Sequence, residues 1–241
     1  MLIVQQPAYI LHTRPYRETS LLLECLTRDH GRLGMVARGV RRGRGVLSAS
    51  VLQAFQPLSL SFTLRGELGT LRAAEPEQAP RLLEGTALLA GLYVNELMVR
   101  LSARQDPQPG LFAIYVRALQ ALDQQPETMA WALRCFERDM LEVLGYAMPL
   151  REDADTGAAV IADAEYLYVP EHGPVAAASG QPGLRVRGSD LLGLADDRQP
   201  DASGQERLRR LLRGVLLHRL GGVPLRSWQV FGGARQPSRH D

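Results

Sequence analysis

With 241 residues, 45% of them apolar and 22% charged, the chain has the make-up of a soluble globular protein of one domain or two. Its net charge of +2 conceals an uneven split. Residues 1–74 hold ten arginines against four acids and the remainder eighteen against twenty-two, with no lysine anywhere, which excludes Schiff-base and phosphate-loop lysine chemistry.

Residues 7–74 read as β structure. Short strands are predicted at 9–11, 20–26, 33–37, 55–64 and 67–72, separated by turn signals at Arg28–Arg32 and Arg65–Glu67. Leu58, Leu60, Phe62 and Leu64 alternate with Ser59, Ser61 and Thr63, the period of a half-buried strand. Five strands this close together suit a small closed barrel better than an open sheet with bare edges. The OB barrel and the SH3-like barrel both fit, and periodicity does not separate them. Glu75–Pro80 is a polar, Pro-punctuated linker.

Helical spacing then takes over. Helices are predicted at 81–103, apolar on nearly every side, at 111–122 and at 127–144, where Gly145 stops the third and Pro149 prevents resumption. The pattern loosens over 151–194, with short strands possible at 159–161 and 166–169, and 196–204 reads as a linker. A last helix is predicted at 205–220: Leu208, Leu211, Leu212, Val215 and Leu216 form one stripe, and Arg207, Arg209, Arg210 and Arg213 fan over the other face. Gly221-Gly222 ends it, and the final ten or so residues are polar and expected to fray. The expected architecture is therefore α+β: a barrel domain over 1–76 and a helix-rich domain over 80–241 with an irregular β-containing insertion at about 151–194.

Enzyme signatures are scarce. There is no Gly-rich phosphate loop, no HExxH and no Gly-x-Ser-x-Gly, and the five histidines lack metal spacing. The acids Glu152, Asp153, Asp155 and Asp163 are the one place to look for metal-assisted hydrolysis, but they lie in a loop-like stretch without a basic partner and read as a solvated loop. Cys25 and Cys135 fall in apolar patterns and read as buried thiols, with neither a disulfide framework nor a cysteine-held zinc site. No catalytic residue, cofactor or metal is expected. The N-terminus has no basic segment before an apolar core, and the apolar run 86–101 is interrupted by Asn95, Glu96 and Arg100, so neither a signal peptide nor a bilayer span is expected.

Two basic features remain. The first is a set on the barrel, Arg14, Arg17, Arg32, Arg38, Arg41, Arg42 and Arg44, several of them in a Gly-rich loop after the third strand. Guanidinium forks there suit phosphate oxygens, and affinity would be dominated by phosphates and steeply salt-dependent. Tyr9 and Tyr16 are the aromatics at hand for base stacking. The second is the Arg face at 205–220, a possible second surface for DNA or an acidic protein segment. Alternatives to DNA are an RNA-binding adaptor and a protein-interaction scaffold for acidic peptides.

The order of short motifs resembles a known family. Ala8-Tyr9-Ile10-Leu11, Arg17-Glu18 with Ser20 and Leu22-Leu23, His30-Gly31-Arg32, and Val36 to Arg42 resemble the N-terminal pattern of the RecO family of recombination mediators, as do Phe55-Gln56-Pro57-Leu58 and Gly66 to Leu71. Tyr93 with Asn95-Glu96-Leu97, Phe136-Glu137 with Leu144-Gly145-Tyr146, and Leu220-Gly221-Gly222 with Pro224-Leu225 and Ser227 continue it in order over most of the chain. The resemblance implies an N-terminal OB domain and a helical domain in a non-enzymatic, cytoplasmic and nucleoid-associated DNA-repair protein. Such a protein binds single- and double-stranded DNA and anneals complementary strands. Its implied partners are RecR, the acidic C-terminal tail of single-stranded-DNA-binding protein and, indirectly, RecA. Many members carry a four-Cys zinc module after the Leu-Gly-Tyr motif. This chain has no Cys in the corresponding region, so zinc is not carried over and the segment is expected to rest on packing alone.

Overall fold

The computed structural model describes residues 1–40, 48–79, 82–122, 124, 126–177 and 183–233. Packing divides the chain into two compact units: Met1–Leu122 together with the chain from Leu225 onward, and Asp123–Pro224.

In the first unit five strands close into a barrel in the order β1-β2-β3-β5-β4. They are β1 (Leu2–Tyr16), β2 (Ser20–Thr27), β3 (Gly31–Ala37), β4 (Leu58–Arg65) and β5 (Leu68–Pro76). Strand β1 is far longer than its predicted core at 9–11, because it serves two neighbours: its first half pairs with β4, its second with β2. Register shifts between Ile3 and Gln6 and between Ile10 and His12 bend it around the barrel. Strand β3 pairs with β5 in parallel, Gly34 opposite Leu68 and Val36 opposite Thr70, rather than with β4. That order is the OB barrel's, and it decides between the two barrels that periodicity left open. Ile10, Leu23, Leu33, Met35, Leu58, Leu60 and Phe62 are fully buried inside, so the alternation seen in the sequence is the inside–outside alternation of β4.

Helices α1 (Gly85–Leu101), α2 (Pro109–Ala121) and α6 (Arg226–Gly233) complete the first unit. Asn95 of α1 is buried; its amide donates to the Leu11 carbonyl of β1 at 2.9 Å and its Oδ1 accepts from the Tyr115 hydroxyl of α2 at 2.7 Å. One side chain thereby ties barrel, α1 and α2 together. Glu96, next along α1, accepts from the backbone N–H groups of Arg226 and Ser227 and from the Ser227 hydroxyl, capping the start of α6. Helix α6 ends at Gly233, and the stretch expected to fray beyond it lies outside the described residues.

The second unit holds α3 (Pro126–Val143), a three-stranded antiparallel sheet β7-β6-β8 (Gly173–Ala176, Glu165–Val169, Leu184–Arg187), α4 (Gly188–Ala195) and α5 (Ala202–Arg219). Helix α4 was not foreseen, and α5 begins inside the expected linker, where Asp201 caps it by accepting from Gly204 N–H at 2.7 Å.

The segment at 151–194 does not rest on packing alone, and Asp153 is not a solvated loop acid. It is 4% exposed, and its carboxylate accepts from the N–H groups of Asp155, Thr156 and Ala176 and from the Thr156 hydroxyl. Burial works to raise its pKa, but these hydrogen bonds outweigh burial and the net shift is downward. The carboxylate fastens the 153–157 turn to β7. The segment supplies no cysteine, and among the described residues no group of three or more His, Cys, Asp or Glu is placed to hold a metal. The zinc module of the resembling family does not fit this donor set. Among the described residues no helix is long and apolar enough to cross a membrane.

Candidate nucleic-acid interface

The antiparallel register gathers several predicted arginines at one end of the barrel. Arg14 lies opposite Leu22, Leu22 opposite Val36, and Tyr16 opposite Ser20. The last turn of β1, the first of β2 and the last of β3 therefore share one rim. Arg14 is exposed on β1, Arg17 is exposed in the β1–β2 turn with its guanidinium 5.3 Å from the Tyr16 ring centroid, and Arg38 is exposed where β3 ends. Gly39 turns the chain at φ +72°, and Val40 returns into the barrel core. Arg41, Arg42 and Arg44 follow directly and lie outside the described residues.

The same rim holds an arginine absent from the predicted set. Arg38 and Arg72 each lie two residues beyond the parallel pair Val36–Thr70, on adjacent strands. Arg72 is also the extra residue in β5 where Phe62 faces Leu71 and Ser61 faces Ala73, and it is exposed. A bulge re-aims the side chain it carries. Arg14, Arg17, Arg38 and Arg72 thus stand around one barrel mouth with Glu18 as the acid nearest in sequence. Backbone oxygens of a nucleic acid would meet several cations there at once.

Arg32 is placed differently. It lies on β3 at the opposite end, with its side chain only 11% exposed. It donates to Glu24 at 2.7 Å and to the Ser102 carbonyl at 2.8 and 3.2 Å, so its guanidinium is spent inside the unit. The aromatics divide in the same way. Tyr9 packs on Phe112 and Tyr115 of α2, with ring centroids 5.8 and 5.2 Å apart, whereas Tyr16 stays on the rim.

On the second unit, α5 presents fewer open cations than its sequence suggested. Arg207 forks onto Asp190 of α4 at 2.6 and 3.1 Å, and that hydrogen-bonded partner raises its pKa further. Arg209 forks onto Glu206 at 2.7 Å, and Arg210 approaches the same carboxylate at 3.5 Å while 68% of its side chain stays exposed. Arg213 is exposed one turn further on. Arg210 and Arg213 are the members of this set that face solvent most fully.

Comparison with known proteins places the chain in a family. A family model described as "Recombination protein O N terminal" matches residues 1–80, and one described as "Recombination protein O C terminal" matches residues 82–229. A "DNA repair protein RecO" of Xanthomonas euvesicatoria pv. vesicatoria (strain 85-10) is 44% identical over 236 residues, spanning 96% of this chain and 97% of the relative. Relatives of the same description from Nitrosococcus oceani and Methylococcus capsulatus are each 43% identical, over 228 residues (94% and 92% of the two chains) and 224 residues (93% and 91%) respectively.

Proposed function

This chain belongs to the RecO family of DNA repair proteins, and from that premise we propose that it is a cytoplasmic, non-enzymatic recombination mediator. In this reading it binds single- and double-stranded DNA and anneals complementary strands. It helps load RecA onto DNA coated by single-stranded-DNA-binding protein, working with RecR and with the acidic tail of that binding protein. The observation that carries the reading is the rim of exposed arginines on an OB barrel: Arg14, Arg17, Arg38 and Arg72, continued in sequence by Arg41, Arg42 and Arg44.

Annealing without a nucleotide cofactor requires two polyanions to be held together while their mutual repulsion is lowered. Guanidiniums do this by replacing condensed counterions on each strand. The rim on the first unit offers one such surface, and Arg210 and Arg213 on α5 of the second unit offer another. An acidic peptide would compete for the same cations, which is how a tail of Asp and Glu residues recruits the protein to coated DNA.

The test is annealing of complementary oligonucleotides coated by the cognate single-stranded-DNA-binding protein, with the tail intact and with its last residues removed. Annealing that depends on the tail is expected. Equal annealing on both substrates would reduce the protein to a general cationic aggregator of strands and defeat the mediator reading.

A further inference from the structure

OB barrels bind oligonucleotides across the outer face of strands 2 and 3 and over the loops joining strands 1–2 and 4–5. In this chain the outer face of β2 and β3 is covered by the protein itself, while the β1–β2 and β4–β5 turns stay exposed at Arg17, Glu18, Gly66 and Glu67. On the outer face Leu22, Leu26 and Val36 are buried, and Glu24 between them is 13% exposed at its side chain. Segment 102–107, which leaves the end of α1, runs parallel beside the start of β3 and closes the Glu24–Arg32 part of this face. Gln105 N–H donates to the Arg32 carbonyl at 2.9 Å, and Arg32 and Arg104 form an isolated parallel bridge. The Gln105 side-chain amide donates to the Gly66 carbonyl at 2.9 Å, in the turn between β4 and β5. The fit is close enough that a Cβ on Gly31 would stand 2.2 Å from the Asp106 carbonyl oxygen.

The charge at the centre of this contact is informative. The Glu24 carboxylate accepts from Arg32 on one side and from Arg104 of this segment on the other. A carboxylate between two guanidiniums, on the face where an OB barrel would hold a phosphate, satisfies the same forked donors that a phosphate satisfies.

We propose that segment 102–107 is an autoinhibitory strap, and that Glu24 is the internal anion that latches it over the β2–β3 face. The proposal rests on the DNA-binding reading of the barrel. With the strap latched, the rim around Arg14, Arg17, Arg38 and Arg72 is the open part of the interface. A nucleic acid seated on the rim and extending along β2 and β3 competes with Glu24 for Arg104, whose side chain is already 42% exposed, and displaces the strap. The device is a two-state element that a polyanion biases toward its open form.

Amide hydrogen exchange over 102–107, read together with oligonucleotide binding by fluorescence anisotropy on the same full-length samples, tests this. A saturating single-stranded oligonucleotide should lower protection at Gln105 in the wild-type protein. Glu24→Gln frees Arg104 and should steepen the salt dependence of binding by about 0.7 in log–log slope, the increment for one added single-strand phosphate contact. Arg104→Ala, at a half-exposed position, should lower protection of the strap without steepening the slope. A wild-type protein that binds the oligonucleotide while residues 102–107 keep their protection refutes the strap and leaves the DNA reading standing. One that binds no oligonucleotide at any salt concentration defeats the DNA reading and the strap with it.

Discussion

The rim can be separated from the buried arginine chemistry by salt. Replacing Arg14, Arg38 and Arg72 together by Ala removes three exposed guanidiniums that belong to one barrel mouth and to no ion pair among the described residues. Each phosphate contact on a single strand contributes about 0.7 to the slope of log K against log salt, so losing three lowers the slope by about 2. Over a fourfold rise in salt, from about 50 to 200 mM, the affinity loss of the variant should then be roughly 16-fold smaller than that of the parent. Anisotropy titrations of a labelled oligonucleotide at four or five salt concentrations measure this directly. Arg32→Ala is the matched control. It removes a cation from the same strand, yet it should leave the slope in place and lower stability by about 1–3 kcal/mol, because Glu24 loses one of its two partners in a largely enclosed site. A triple variant with the parental slope, or an Arg32 variant that loses slope as the triple does, would refute the assignment of the interface to the rim.

Two further predictions concern what holds the first unit together. Asn95→Ala strands the Tyr115 hydroxyl and the Leu11 carbonyl in the interior and should cost about 2–4 kcal/mol in denaturant unfolding; Tyr115→Phe should cost about 1–2 kcal/mol, and the two should be non-additive by about 1 kcal/mol. Strict additivity would show that the pair does not act as a unit. Burial works to raise the Glu96 pKa, but hydrogen bonds from Ser227 and Arg226, helped by the charge of Arg100, outweigh it and leave the group below its ordinary value. A depressed folded pKa means that the stabilisation is complete above the unfolded-state pKa near 4.3 and is lost as pH falls through the folded value. Glu96→Gln should therefore flatten the acid limb of the stability curve below about pH 5, and an unchanged acid limb would show that the cap on α6 is energetically idle.

The elements most legible in the sequence are those whose signal is local. Alternation named β4, the apolar stripe named α5, and Gly145 with Pro149 marked the end of α3. The misses share a physical cause. The long β1 is broken by two register shifts as it passes from one partner to the other, so no single period runs through it. Helix α4 is eight residues long, too short to show a periodic stripe, and its first turn is fastened by Asp190 and Arg207, which lie seventeen positions apart. Asn95 and Glu96 looked like polar interruptions of an apolar run. They are in fact the positions where that run exchanges hydrogen bonds with β1, α2 and α6, and a polar residue in the middle of a buried helix is a signal that the helix is tied to something there.

The candidate site follows the same logic, one level up. Antiparallel hairpins bring Arg14, Arg17 and Arg38, near-neighbours in sequence, to one end of the meander. Arg72 joins them only because β5 runs parallel to β3, a pairing between strands more than thirty residues apart that no local pattern encodes. Arg32 shows the converse. By composition it is one more cation in a basic stretch, and only the segment leaving α1, some seventy residues later, converts it into an internal partner of Glu24 and Ser102. Charge counted along a chain therefore overstates a binding surface wherever topology supplies a buried acid, and understates it wherever a parallel strand delivers a distant cation. In this barrel both effects act beside β3, where Arg32 is taken up at its start and Arg72 is delivered next to its end.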